Sequence, residues 1–552
     1  MAEAETHWSN RTEFIMAAVG SAIGLGNIWR FPYVCYKNGG GAFLIPFIVA
    51  LFAAGIPLLI MKFAVGQSSR FGAPKALGGL NRNWTWLGWM AVLVGFFIAA
   101  YYAVVMGWSF NYLYYSFAGM PWGVDVEQIE RFFMKDVLDF IPLGEVGAGA
   151  VVWPVFIGLI LTWVAIYFSI FKGVKTVGKV VWITVPLPAL ILVILIIRGI
   201  TLPGSAKGLE TFLTPDFAAL ADPSVWLAAV GQVFYSLSLG FGIMIAYSAH
   251  NPRVSDINNS AFMTGIWDSL FAFLCGFAVF SVLGFLAHAL NSEVSDVAKA
   301  GPGLAFVIFP TILAKLPALN QLFSVLFFIM LLTLGIDSAF SLVEAIAKAV
   351  KDFTTKMRVE VLALIVCLVL FVFGIPFALR SGLMTLDIVD HYMNIGLVIV
   401  CFLECILIGW ISGTENLRSY ANEVSDFRIG KWWDVCIKWV IPFSLAILLI
   451  ANIYDDIVKP YEGYERHWLI AFGWVPLFLT FFVGLVLGRH YRIIGVVTGI
   501  AVLCFLAFWL IPLSAQSTLS IVLSIILFGG MICFTTLAAL RAGKKKVPDQ
   551  EQ

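Results

Sequence analysis

Apolar stretches of about 18 to 30 residues, separated by short polar connections, recur from one end of the chain to the other. At roughly 1.5 Å per helical residue each can cross a hydrocarbon core of about 30 Å, so each predicts a transmembrane helix. About fourteen such runs are present. Their centres lie near residues 24, 54, 100, 160, 188, 237, 273, 335, 367, 399, 443, 477, 503 and 529. The pattern therefore predicts an all-α polytopic membrane protein.

Two of the runs are interrupted at corresponding places. The first reads Gly20-Ser21-Ala22-Ile23-Gly24-Leu25-Gly26-Asn27, and the sixth reads Ser236-Leu237-Ser238-Leu239-Gly240-Phe241-Gly242. Each carries a Gly-x-Gly in mid-run with hydroxyls or an amide beside it. Spans one to five and six to ten would then be two copies of opposite topology, because an odd number of crossings inverts the second copy. Matched helix breaks in inverted halves are a sequence pointer to the central site of a carrier. Unwinding frees carbonyls for a cation and leaves a half-helix N-terminus to hold a carboxylate. The same glycines would also suit close helix packing, as in Gly20-x-x-x-Gly24.

Composition agrees with a bilayer as solvent: 61% of residues are hydrophobic and 12% charged, far from the half-apolar, quarter-charged mix of soluble domains. A net charge of +1 offers neither a basic surface for nucleic acid nor an acidic solvating tail. Cys35, Cys275, Cys367, Cys401, Cys405, Cys436, Cys504 and Cys533 lie in apolar stretches without metal-binding spacing and read as packing residues. Lys and Arg favour cytoplasmic loops. They follow the second span (Arg70, Lys75, Arg82), the fourth (Lys172, Lys175, Lys179), the eighth (Lys348, Lys351, Lys356, Arg358) and the tenth (Arg418, Arg428, Lys431). They also follow the twelfth (Arg489, Arg492) and the last (Arg541, Lys544, Lys545, Lys546). Both termini are thus expected on the cytoplasmic side, with the acidic loop at 120–149 outside. The opening residues lack a basic stretch leading into a cleavable apolar core, so no signal peptide is expected.

His7-Trp8, the run from Gly24 to Tyr33 (GLGNIWRFPY), the turn from Asn38 to Phe43 and the pair Tyr101-Tyr102 resemble the neurotransmitter:sodium symporter family, especially its prokaryotic amino-acid members. Gly231-Gln232, the run from Ser236 to Gly242 and Leu334-Gly335-Ile336-Asp337-Ser338 extend the likeness, which covers about residues 7 to 490. The resemblance implies an inverted-repeat transport core over residues 1–413, with repeats at about 10–200 and 225–413. Peripheral helices eleven to fourteen would occupy 430–541 and a cytoplasmic tail 542–552. The last two spans exceed the family's usual twelve. The implied activity is sodium-coupled symport of a small neutral or apolar amino acid by alternating access. The loop at 120–149 has no cysteine and no Asn-x-Ser/Thr acceptor, unlike many animal relatives, which favours a prokaryotic inner membrane.

The resemblance also implies two sodium sites. Matching the first are the Ala22 carbonyl, the Asn27 side chain, Ser236 and Asp268, with the substrate carboxylate completing the shell. Matching the second are the carbonyls of Gly20, Ile23 and Leu334, with Asp337 and Ser338. The residue chemistry agrees: hard cations need several oxygens, and acids within the membrane are costly enough to be functional by default. For the substrate, the Leu25 and Gly26 amides and the Tyr102 hydroxyl would hold a carboxylate. Ser21, Ser236 and Tyr235 would meet the amine, with Ala22, Ser238 and Ser338 nearby. Ile98, Tyr235, Phe241 and Leu342 would line the side-chain space. Gly24 stands where the family's monoamine carriers have an acid, which again resembles the amino-acid branch.

Arg30 and Asp390 match the family's extracellular gate pair, and Trp8 and Asp352 its inner gate. Two departures stand out. Glu5 replaces the N-terminal Arg, so the usual inner salt bridge cannot form. Lys62 replaces a Glu and is expected to pair with Glu404 on the tenth span. Chloride is not expected, because the positions of its Tyr and Ser ligands in chloride-dependent relatives are Phe47 and Ala272, while Asp268 supplies a fixed charge one turn away. No nucleophile elbow, Walker loop or His-rich metal constellation suggests an enzyme. The alternatives are a proton-coupled or exchanging amino-acid carrier, or a channel or non-transporting solute sensor, of the same fold.

Overall fold

A computed structural model describes residues 7–354 and 357–488, which hold all the elements given below. Glu5, the predicted spans centred near 503 and 529 and the tail at 542–552 lie outside them.

The described residues are mostly helical, and the β-pairing among them is two isolated bridges, Gly40 with Pro215 and Val151 with Leu379. Ten helices are long and apolar enough to cross a bilayer. They coincide with the predicted runs two to five and seven to twelve, from Gly41–Ser69 to Arg466–Leu487. The first run is a pair, Arg11–Ala22 and Leu25–Lys37, bent by 47°. The sixth folds as Pro223–Ser236 and Ile243–Ser248 with non-helical chain over 237–242.

Burial separates an inner set of helices from an outer one. In the third span, Arg82–Phe117, and the seventh, Ile257–Leu290, 78% of the most apolar stretch is buried, but in the fifth, Val174–Ile200, only 28%. The fifth is nevertheless among the most hydrophobic, with a mean hydropathy of 2.9. An apolar helix that leaves most of its surface outside the protein needs lipid around it, since water would penalise that area. The third and eighth spans pack along one another, and the two broken segments lie against the inner helices.

Each break has a local cause. Arg11–Ala22 starts cleanly, with Asn10 accepting the Glu13 amide, and ends where Ile23 (φ −72°, ψ 106°) and Gly24 (φ −137°, ψ −169°) turn extended. The Asn27 side chain then accepts the Gly24 amide at 3.0 Å and opens the next helix. In the sixth run, Asp222 caps Pro223–Ser236 by accepting from Ser224. Ser238 (φ 53°) and Gly242 (φ 74°) then take left-handed conformations that no helix can propagate.

Candidate functional site

The two breaks face each other across a cavity. Ser21, Ala22, Leu25, Gly26, Ile98, Tyr102, Tyr235, Ser236, Ser238, Phe241, Ser338 and Leu342 all line it, together with Gly24, Asn27, Tyr101 and Ile243. Tyr101 and Ile243 escaped the sequence reading. Adjacent helical residues point about 100° apart, so nothing in the pattern says that Tyr101 and Tyr102 reach one cavity.

Backbone and hydroxyl groups dominate the polar part of the lining. The Ser238 hydroxyl donates to the Ser21 carbonyl at 3.1 Å, bonding one break to the other, and the Ser21 hydroxyl donates to Ser341 at 2.9 Å. The Tyr102 hydroxyl is buried at the cavity, beside Ser338 and the Leu25 backbone. Leu25 and Gly26 stand in the first turn of Leu25–Lys37, where amides have no acceptor within their own helix. Glycine is needed for space: a Cβ on Gly24 would lie 2.9 Å from the Ser338 hydroxyl, and one on Gly26 would lie 2.6 Å from the Tyr235 ring.

Two buried carboxylates flank the cavity. Asp268, on the seventh span, accepts the Asn27 amide at 2.9 Å and the Ser236 hydroxyl at 2.7 Å. It thus connects the first, sixth and seventh spans. Asn27 turns its nitrogen to Asp268 because its oxygen is engaged by the Gly24 amide. Asp337, on the eighth span, is 1% exposed and has one oxygen, Oδ1, without a partner. A Cβ on Gly20 would stand 2.8 Å from the other oxygen, so the first span passes directly over this carboxylate. Gly20, Ala22 and Ile23 are at the C-terminal end of Arg11–Ala22, where carbonyls run out of helical donors. The Leu334 carbonyl accepts the Ser338 hydroxyl at 3.4 Å. Among the described residues no basic side chain lies within ion-pair distance of Asp268 or Asp337.

The expected gate residues are placed less uniformly. The Arg30 guanidinium lies 4.3 Å from the centre of the Tyr235 ring, whereas Asp390 accepts the Tyr101 hydroxyl, and no ion pair among the described residues joins the two charges. Trp8 is buried, with its indole donating to the Tyr247 carbonyl at 2.9 Å. Close by, His250 pairs with Glu344 at 3.2 Å, a contact that the sequence reading missed. Asp352 accepts the Gly72 amide at 2.6 Å and pairs with Lys348 at 3.0 Å. The expected contact between Lys62 and Glu404 is present, with both residues buried. Phe47 and Ala272 are buried too, Phe47 packing on Phe31 at 5.1 Å between rings.

Comparison with known proteins gives a coherent picture. Residues 5–494 match the sodium:neurotransmitter symporter family. A sodium-dependent transporter of Methanocaldococcus jannaschii, itself uncharacterized, is 38% identical over 491 residues, 88% of this chain and 98% of that protein. The sodium-dependent dopamine transporter of Caenorhabditis elegans is 34% identical over 84% of this chain and 82% of its own. The sodium- and chloride-dependent taurine transporter of Bos taurus is 31% identical, covering 85% and 81%.

Proposed function

The chain belongs to the sodium:neurotransmitter symporter family, and on that premise we propose that it couples inward sodium movement to the uptake of a small neutral or apolar amino acid. It is a multi-pass membrane transporter of a sodium-dependent family, not an enzyme. The observation that carries the finer reading is the meeting of two helix breaks at one cavity, with buried Asp268 bonded to its lining residues Asn27 and Ser236, buried Asp337 next to Ser338, and no cation of the described residues paired with either.

Two sodium ions are assigned as co-substrates. One sits among the Ala22 carbonyl, Asn27, Ser236 and Asp268; the other among the carbonyls of Gly20, Ile23 and Leu334, with Asp337 and Ser338. The unpartnered oxygen of Asp337 supports the second site. At the first, Asn27 must exchange its nitrogen for its oxygen, releasing the Gly24 amide. Sodium binding there is thereby tied to the shape of the first break. The substrate carboxylate takes the Leu25 and Gly26 amides and the Tyr102 hydroxyl, and its side chain lies against Ile98, Tyr235, Phe241 and Leu342. With no acid at Gly24, a zwitterion brings no charge needing a partner. Two cations against Asp268 and Asp337 then balance, which matters because an unpaired charge in a low-dielectric site costs several kcal/mol. That balance, and the lack of a hydroxyl on Phe47 and Ala272, supports independence from chloride.

The architecture assigned to this activity is a fourteen-span, inner-membrane carrier with both termini cytoplasmic. Its five-plus-five inverted core comprises about residues 10–200 and 225–413, within a transport core of 1–413. Helices over 430–541 are peripheral to it, ahead of a tail at 542–552. Arg30 and Asp390 close the outer side by moving from their tyrosine partners onto each other, and Trp8 and Asp352 close the inner side.

A binding screen of the twenty amino acids on purified protein, in sodium and in choline buffer, tests the reading. Sodium and substrate must strengthen each other's binding by the same factor if they share a shell. An amino acid that binds equally well in both buffers rejects sodium coupling.

A further inference from the structure

The sixth-span break is held from the side away from the cavity. Unwinding over 237–242 leaves carbonyls without helical donors, and in a membrane interior each has to find one. Ser238 and Phe241 face the cavity. Leu239, between them, is buried, and its carbonyl accepts the thiol of Cys401 on the tenth span at 3.1 Å. The tenth span is pressed against the break here, since a Cβ on Gly240 would stand 2.7 Å from Leu397.

A thiol is a weak donor for this duty. This one has help. The Lys62 ammonium lies 3.9 Å from the Cys401 sulfur and is paired with Glu404, one turn farther along the tenth span. Cys401, Lys62 and Glu404 are all buried. An ammonium that donates to the sulfur draws charge from the S–H bond and makes it a stronger donor, as in any polarised hydrogen-bond chain. The same lysine's backbone carbonyl accepts the Ser248 hydroxyl at 3.4 Å, at the far end of the second half of the sixth run.

We propose that Glu404, Lys62 and Cys401 form a brace that fixes the Leu239 carbonyl, making them positioning residues for the ligand-binding stretch Ser238 to Phe241. The brace acts on the cavity assigned above and so rests on that reading for its functional consequence. A plain structural role, tying the second span to the tenth, would make no use of the thiol.

Two measurements on the full chain in detergent test it. The Cys401 S–H stretch, isolated as the infrared difference between wild type and Cys401→Ser, is expected at a hydrogen-bonded position. It should move toward the free-thiol frequency in Lys62→Met/Glu404→Gln. A free-thiol band in the wild type overturns the brace. The second is a sodium titration read by melting temperature, with sodium chloride replacing choline chloride. Half-saturation should rise roughly three- to tenfold in Cys401→Ala, the scale of one buried hydrogen bond, and Cys401→Ser should restore it through its hydroxyl. Serine and alanine differ little in size, so identical titrations for the two variants also overturn the brace. Absence of any sodium effect in the wild type would sink the transport reading instead, and the infrared band would then decide the brace alone.

Discussion

Asp268 and Asp337 at the helix breaks and Glu404 between the second and tenth spans are all at most 1% exposed, yet among the described residues only Glu404 of the three has a fixed cation, Lys62. The comparison is informative because burying an uncompensated charge costs several kcal/mol wherever it happens. At the second and tenth spans the protein meets that cost with its own side chain, and the pair cannot leave. At the breaks it supplies hydroxyls, an amide and loose carbonyls but no cation. In the proposed cycle the missing charges arrive and depart with sodium. One region is closed on itself; the other is left open for ions.

The largest effect should come from breaking the closed region. Lys62→Met strands Glu404 and should lower stability by roughly 3–5 kcal/mol, while Lys62→Met/Glu404→Gln should be much milder. Additive losses in a thermal-melt cycle would mean that the pair is not a unit. Next, Asp337→Ala removes the charge of the carboxylate with an orphaned oxygen. Sodium-dependent uptake should fall about 100-fold or more, because a charged ligand is worth several kcal/mol. Unaltered sodium dependence would move that ion elsewhere. Asp268→Asn keeps the shape and some hydrogen bonds to Ser236 but removes the charge that balances sodium, so uptake should be lost or become poorly sodium-coupled. Normal sodium coupling in this variant would leave Asp268 a bystander. The smallest effect is none: uptake with gluconate in place of chloride should match uptake in chloride, because Asp268 carries the fixed charge. A clear loss on chloride removal would show that the open region needs an anion as well.

Much of this was legible along the chain. Hydropathy placed the ten long spans among the described residues, because the bilayer sets a length criterion that each of them meets on its own, whatever its neighbours do. The sixth-run break could be found for a similar reason: Gly242, at φ 74°, is a local conformational need written at its own position. Partner choice was another matter. That Arg30 lies on Tyr235 and Asp390 on Tyr101, with the two charges apart, follows from which side chains approach across helices hundreds of residues distant. His250 with Glu344, Tyr101 at the cavity and Cys401 beneath the Leu239 carbonyl are of the same kind. The solvent, the long spans, the two interruptions and the acids buried near them are all written in the order of residues along the chain. Which donors and cations those acids meet is a matter of the folded packing, because hydrogen bonds and ion pairs act over a few ångströms and packing, not spacing along the chain, sets those distances.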